Sequence, residues 1–312
     1  MTSFLLRRLG FACVTLFAVL TLVFVLVRIV PGDPAQLILG DQASREAIDA
    51  LRHRLGLDMS ISQQYTAFLG NALKGDWGVS MVSGQPVIGE VFKVLPWTIE
   101  LTFVSLVIGV VLGVPAGVYA AIHRNRFIDY AVRISSLLGL SFPPFVAAII
   151  LLLIFAIALP WFPVISARSG SALAWYQSIT LPAISLGLIA AAYVTRVTRS
   201  AMLEVLSEDY VRTARAKGVP WRVVIWRHAL RNALIPIITV VGLYLGILIG
   251  NSVLTEIIFN RPGLGKLILG ALNARDHTLL QGLMIIFAIC VIVVNTLTDL
   301  AYGLVDPRVK YG

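Results

Sequence analysis

The chain has 312 residues, of which 58% are hydrophobic and only 13% charged, with a mean hydropathy of +0.88. A soluble domain carries about 25% charged residues, so this composition excludes a water-soluble globular protein and points to a membrane protein. The net charge of +9 would suit nucleic acid, but the basic residues sit between long apolar runs, where they set membrane topology instead; no nucleic-acid partner is expected.

A bilayer core needs about 20 apolar residues per helix. The first such stretch is about 9–30, preceded by Arg7 and Arg8. It is longer than the apolar region of a signal peptide and ends in Arg28-Ile29-Val30-Pro31-Gly32-Asp33 with no small-x-small cleavage site, so an uncleaved first span is expected. A long loop, 31–97, follows. Within it Ile48, Leu51 and Leu55 recur at helical spacing, as do Tyr65, Phe68, Leu69 and Leu73; both runs predict short amphipathic helices on the outer face.

The second span is about 99–122. Gly109, Gly113 and Gly117 recur there every fourth residue, a smooth face for close helix approach. The third, about 134–159, is interrupted by Pro143 and Pro144, where a kink is expected. The fourth, about 179–195, runs into Arg196 and Arg199 and is expected to continue as helix beyond the bilayer. The fifth, about 233–254, carries a second glycine triplet, Gly242, Gly246 and Gly250. Either triplet serves packing within one subunit or a contact with a second membrane subunit. The sixth is about 279–304. No internal repeat or separate soluble domain is visible, so 1–312 is one transmembrane domain, an all-α bundle of six spans.

With the N-terminus inside, 15 of the 25 Lys and Arg fall on the inner side, against six of the 16 Asp and Glu. That bias predicts both termini in the cytoplasm, the loop 31–97 in the periplasm and the loop 196–232 inside.

The inner loop holds Ser207-Glu-Asp-Tyr-Val-Arg-Thr-Ala-Arg-Ala-Lys-Gly-Val-Pro220. Ser207 is an expected N-cap. Glu208 and Asp209 suit the positive end of the helix dipole, and Arg212, Arg215 and Lys217 the negative end. Gly218 suits a left-handed cap, and Pro220 blocks continuation. A short capped helix is therefore predicted, followed by a Trp- and Arg-rich segment, Pro220 to Arg231, expected to lie along the membrane surface.

Asp209-Tyr-Val-Arg-Thr-Ala-Arg-Ala-Lys-Gly218 resembles the loop signature of binding-protein-dependent ABC importer permeases, Glu-Ala-Ala, three residues, then Gly. Aligned on Gly218, the Glu position holds Arg212 and the two Ala positions hold Thr213 and Ala214. These departures, with Arg227-His-Ala-Leu-Arg-Asn-Ala233, resemble the dipeptide, oligopeptide and nickel branch, which also includes glutathione importers. Pro31-Gly-Asp-Pro-Ala35, Leu55-Gly-Leu-Asp58, Gly75-Asp-Trp-Gly78 and Pro262-Gly-Leu-Gly265 extend the likeness over nearly the whole chain. The long first loop is similar to that of one of the two permease types in such importers. The resemblance implies a type I importer fold and import of di- or oligopeptides, with glutathione or nickel as alternatives. It implies a second homologous permease subunit, two cytoplasmic ATPases that bind ATP and Mg, and a periplasmic solute-binding protein. It implies that Thr213, Ala214, Arg215, Ala216, Lys217 and Gly218 dock the ATPase.

Nothing suggests chemistry in the chain itself. Cys13 and Cys290 lie in apolar runs, and His53, His123, His228 and His277 are scattered. Arg261-Pro-Gly-Leu-Gly-Lys-Leu267 lacks the spacing and the Ser or Thr of a phosphate-binding loop. No cofactor, metal ligand or substrate ligand is assigned. Asn251, Glu256, Asn295 and Asp299 are polar groups in or near spans, with Glu256 and Asp299 expected at solvated interfaces. A carrier driven by an ion gradient would show paired midplane charges or repeated halves, and a membrane enzyme a catalytic cluster; neither is present.

Overall fold

A computed structural model describes residues 2–29, 34–40, 43–54, 56–164 and 172–305. Pro31, Gly32, Asp33, Leu55, Asp306, Arg308 and Lys310 fall outside the described residues, as does the side chain of Asp299. Thirteen helices are described in chain order: α1 (Thr2–Ile29), α2 (Pro34–Leu39), α3 (Arg45–Arg54), α4 (Ile61–Leu73), α5 (Val87–Ile122), α6 (Phe127–Ser141), α7 (Pro144–Leu151), α8 (Ala172–Leu206), α9 (Asp209–Ala216), α10 (Trp221–Val223), α11 (Leu230–Ile258), α12 (Leu264–Asn273) and α13 (His277–Val305). α7 runs on through π-helical turns at Leu152–Ala158, and α10 joins α11 through π-helical turns at Val224–Ala229. The helices form two compact units, Met1–Pro96 with Gly263–Ile292, and Trp97–Pro262 with Val293–Gly312.

In the first unit, Ser60 caps α4. Its side chain accepts from the Gln63 N–H while Gln63 reaches back to the Ser60 N–H, a reciprocal capping box. The apolar stripe of α4 meets α1: Tyr65 and Phe68 pack against the Phe24 ring at 5.0 and 5.7 Å between centroids, and Thr21 shares a 2.7 Å hydrogen bond with the Tyr65 hydroxyl. Gly75-Asp76-Trp77-Gly78 forms a turn. The Asp76 carboxylate accepts from the Gly78 N–H at 3.0 Å, and Gly78 has φ +79°, where an added Cβ would stand 2.8 Å from Thr278 Cγ2, so glycine suits the position. Val87, Val91, Leu264, Leu279 and Leu283 form this unit's core.

In the second unit α8 is the axis, with 78% of its most apolar stretch buried. Cβ atoms added at Gly109, Gly113 and Gly117 of α5 would stand 2.6 Å from Ala190 Cβ, 2.8 Å from the Ala191 carbonyl oxygen and 2.7 Å from the Thr195 carbonyl oxygen. The two backbones therefore touch, and because the partners advance in the same order as the glycines, α5 and α8 run parallel. Between them the chain must return. Adjacent prolines hold Phe142 and Pro143 extended (ψ 131° and 143°), and α6 bends 98° into α7. The bent pair follows α8 in the opposite sense, from Asp129 beside Arg199, through Gly139 against Ala192, to Ala148 and Ala156 clustered with Leu181. The stretch 181–199 is about 27 Å of helix, close to the hydrocarbon thickness. The third span is thus a broken one, and with the five long apolar helices the count is six.

Two helices outrun their hydropathy. α8 begins at Ala172 and continues to Leu206, and the segment expected along the membrane surface is instead the root of one continuous helical rod, Trp221–Ile258. At about 57 Å the rod is longer than a bilayer core, so part of it extends beyond the hydrocarbon. Between the end of α8 at Leu206 and the start of the rod at Trp221 lies α9. The second glycine triplet is uneven. An added Cβ at Gly242 would lie 1.9 Å from Thr298 Cγ2 and at Gly246 3.3 Å from Asn295 Oδ1, but at Gly250 it meets nothing within 4 Å. Among the described residues, therefore, nothing packs against Gly250, in contrast to Gly242 and Gly246.

Candidate functional site

α9 is an eight-residue helix held by its ends. Its N-cap is Glu208, not Ser207. The Ser207 hydroxyl donates back to the Glu204 carbonyl at 2.7 Å and so closes α8, which leaves Glu208 and Asp209 to face the positive end of the α9 dipole. The C-terminus closes as the Lys-Gly sequence dictates. Gly218 has φ +77°, its N–H donates to the Arg215 carbonyl at 3.0 Å, and the Val219 N–H donates to the Ala214 carbonyl at 3.2 Å. This 6→1 and 5→2 pair is a Schellman cap.

Three contacts seat α9 on the rod and its surroundings. Val211 is buried, the Arg215 guanidinium lies 4.7 Å over the Trp221 ring, and the Asn232 side-chain amide donates to the Tyr210 hydroxyl at 2.6 Å. Beneath, Met202 of α8 and Ile225, Ala229 and Ala233 of the rod share one apolar cluster with Val118 of α5. Thr213, Arg215, Ala216, Lys217 and Gly218 are exposed and Ala214 is half-buried. The six residues thus form the basic, small-residue and largely exposed C-terminal turn of a short helix that Tyr210, Val211 and Arg215 hold in place. The exposed Asp209–Arg212 pair at 3.4 Å contributes little.

A second fixed point lies nearby. Asp129 is fully buried and accepts from Arg199 Nε at 2.5 Å and Nη2 at 2.8 Å, a bidentate pair. It also accepts from the Asn125 N–H at 2.9 Å, where Asn125 has φ +61°. One carboxylate therefore ties the α5–α6 turn to α8. No local sequence signal pairs the two residues, because 70 positions separate them.

At the other end of the second unit, Glu256 is fully buried and accepts from the Thr98 hydroxyl at 2.6 Å. It is not the solvated interfacial residue that its place near a span end suggested, since the helices around it close over it. Arg261, also fully buried, pairs with Glu100, lies 4.8 Å over the Trp97 ring and donates to the Trp97 carbonyl; Trp175 donates to Glu100 as well. Arg261 thus ties α5, α8 and the end of the rod together, a structural role that the sequence did not reveal. In the first unit Asp276 is the counterpart, accepting from Ser80 at 2.5 Å and from the Leu279 N–H at 2.9 Å. Among the described residues no three His, Cys, Asp or Glu side chains converge on a possible metal position.

The pattern of a basic, rigidly seated helix beside a rod of membrane length has a match. Residues 113–311 fit the family described as binding-protein-dependent transport system inner membrane component, and residues 1–102 fit that family's N-terminal part. The chain belongs to this family. Its relatives include the glutathione transport system permease proteins GsiC of Escherichia coli (strain K12) and Shigella dysenteriae serotype 1 (strain Sd197). Each is 40% identical over 311 residues, covering 100% of both chains. The fold matches the MetNI methionine ABC transporter in inward-facing conformations (TM-score 0.57, 19% identity, 70% of this chain and 96% of that one). It also matches an amino acid ABC transporter crystallised with histidines (TM-score 0.52, 17% identity, 70% and 94%). This binding-protein-dependent permease is therefore a multi-pass inner-membrane subunit of an ABC importer. It is a permease and not an enzyme, and a separate ATPase hydrolyses the ATP. Membership removes the ion-gradient carrier and the membrane enzyme as rivals.

Proposed function

We propose that this permease imports short peptides, with glutathione the first cargo to test. The observation that carries the proposal is identity of 40%, end to end, with permeases named for glutathione transport; the long first loop of the dipeptide and oligopeptide branch supports the peptide class. The experiment is uptake of labelled glutathione, a dipeptide and nickel by cells with and without this permease, its binding protein and ATPases held constant. Loss of glutathione or dipeptide uptake is expected on deletion. Loss of nickel uptake alone would overturn the proposal.

The working assembly pairs this chain with a second homologous permease, two cytoplasmic ATPases that bind ATP and Mg, and a periplasmic solute-binding protein. Both termini and α9 face the cytoplasm, and the 31–97 region faces the periplasm. The charge bias supports that orientation, and the parallel α5 and α8 require the intervening crossing. In a Cys13→Ala, Cys290→Ala background, Ser83→Cys is expected to react with an impermeant maleimide in intact cells and Ser207→Cys only after lysis. The reverse order would invert the topology.

α9 is the ATPase handle, with Thr213, Ala214, Arg215, Ala216, Lys217 and Gly218 as its contact face. A side chain at Gly218 has room, since an added Cβ meets nothing within 4 Å; the cost is the left-handed backbone, about 1–2 kcal/mol. Gly218→Val should therefore melt the last turn and cut co-purification of the ATPases several-fold, while Gly218→Asn, which tolerates that conformation, should retain most of it. Both should insert at wild-type level. Undiminished ATPase capture by Gly218→Val would count against the handle.

A further inference from the structure

Between α6 and α8, beside the Asp129–Arg199 pair, lies a recess of about 290 Å³ lined by Arg133, Arg196 and Arg199. Of the three guanidiniums, Arg199 binds the Asp129 carboxylate and Arg133 stands within its electrostatic reach. Arg199 is committed to Asp129. Arg133 and Arg196 make no salt bridge among the described residues and are instead steadied by aromatic rings, Tyr130 at 5.8 Å and Tyr193 at 5.1 Å. The local charge is thus an uncompensated +2, held by contacts that leave the guanidinium N–H groups available.

The same recess offers hydroxyls. Ser136 and Thr195 are buried, Ser200 is exposed, and all three line it. None of the three donates a side-chain hydrogen bond to a protein acceptor among the described residues, unlike Ser135, whose hydroxyl bonds back to the Ala131 carbonyl. Neither Ser136 nor Thr195 is among the buried side-chain atoms without a partner, so their hydroxyls are accessible, and an anion's oxygens would accept from them. Two planar cations and three hydroxyl donors around a small cavity suit a phosphate oxyanion.

The other wall is apolar. Val132, Leu137 and Leu140 line the recess, and it continues into an exposed hydrocarbon face on α6, where Ile134, Leu137 and Leu138 are each 57% exposed. A free ion makes no use of such a wall, but an acyl chain does. Both helices belong to spans, and basic pockets between spans are suited to anionic headgroups.

We propose that the recess between α6 and α8 is a binding site for the phosphate headgroup of an anionic phospholipid, clamped by Arg133 and Arg196. Binding there would add a ligand bridge between the same two helices that Asp129 and Arg199 join, at the root of the bent third span.

The test is native mass spectrometry of the full-length permease in detergent with added phosphatidylglycerol or phosphatidylcholine, and separately with inorganic phosphate. One phosphatidylglycerol is expected to survive detergent stripping in preference to phosphatidylcholine. Arg133→Gln/Arg196→Gln, which leaves the Asp129 pair intact, should weaken it about 25-fold, at roughly fivefold per basic residue. Arg222→Gln/Arg227→Gln removes the same charge elsewhere and should leave retention unchanged. Displacement of the lipid by millimolar phosphate would keep the anion site but assign it to a soluble phosphate. Equal retention of the two lipids with no effect of phosphate, or equal losses in the two double variants, would overturn the proposal.

Discussion

Gly117→Leu is expected to leave almost no folded permease in the membrane, whereas Gly250→Leu should accumulate at wild-type level. At Gly117 an added Cβ stands 2.6 Å from Thr198 Cβ and 2.7 Å from the Thr195 carbonyl oxygen. Both belong to α8, and a backbone oxygen cannot rotate away. Overpacking a core whose side chains can shift costs about 1–3 kcal/mol. Here α5 and α8 must separate, which also releases the contacts at Gly109 and Gly113, so the cost lies at or above that range. In a bilayer such close packing is a main source of helix association, since lipid is as apolar as the helix faces. Size-exclusion profiles and melting temperatures of the two variants in detergent would check this. A monodisperse Gly117→Leu peak with unchanged melting would refute the close parallel contact.

Asp129→Ala is expected to destabilise the second unit by about 3 kcal/mol. Removing one member of a buried ion pair costs about 3–5 kcal/mol, because the other charge is left uncompensated. Arg199 retains 20% side-chain exposure and can recover some hydration, which places the effect at the low end. The Asn125 N–H loses its acceptor as well. Asp129→Asn keeps an acceptor oxygen but not the charge and should fall between wild type and Asp129→Ala. Arg199→Leu leaves a fully buried carboxylate and should be at least as damaging. Asp129→Leu/Arg199→Leu should recover part of the loss, since an apolar pair of similar volume has no charge to desolvate. Thermal melts of the five proteins give the order directly, and additive losses in the double variant would exclude a coupled pair.

The parts legible in the sequence are those whose physics is local. A 20-residue apolar run needs no partner to declare itself a span, and Lys217-Gly218-Val219-Pro220 carries its own stop signal; the structure places a Schellman cap there. Pro143-Pro144 announced a break, though not a 98° turn. What sequence missed depends on distant partners. Ser207 satisfies the rule for an N-cap but equally for the last turn of a preceding helix, and only the length of α8 decides. The fourth span was expected to run on as helix past Arg196 and Arg199, as it does, but that Ala201 and Met202 are buried against the rod was not readable, because the rod begins only at Trp221. Glu256 looked solvated until Thr98, 158 residues away, closed over it. Along the glycine triplets, spacing showed which residues could pack closely but not which had a neighbour.

The π-helical turns at Val224–Ala229 lie between the handle and the rest of the rod. A π turn holds one residue more than the α turn it replaces, so this root carries a surplus in its winding. Each residue of an α-helix advances the azimuth by about 100°. The direction in which α9 points around the rod is therefore set by residue count as well as by its side-chain contacts. Losing one residue between Val224 and Ala229 would let the root rewind as ordinary helix and swing α9 about a quarter-turn away from its present bearing, with every span left in place.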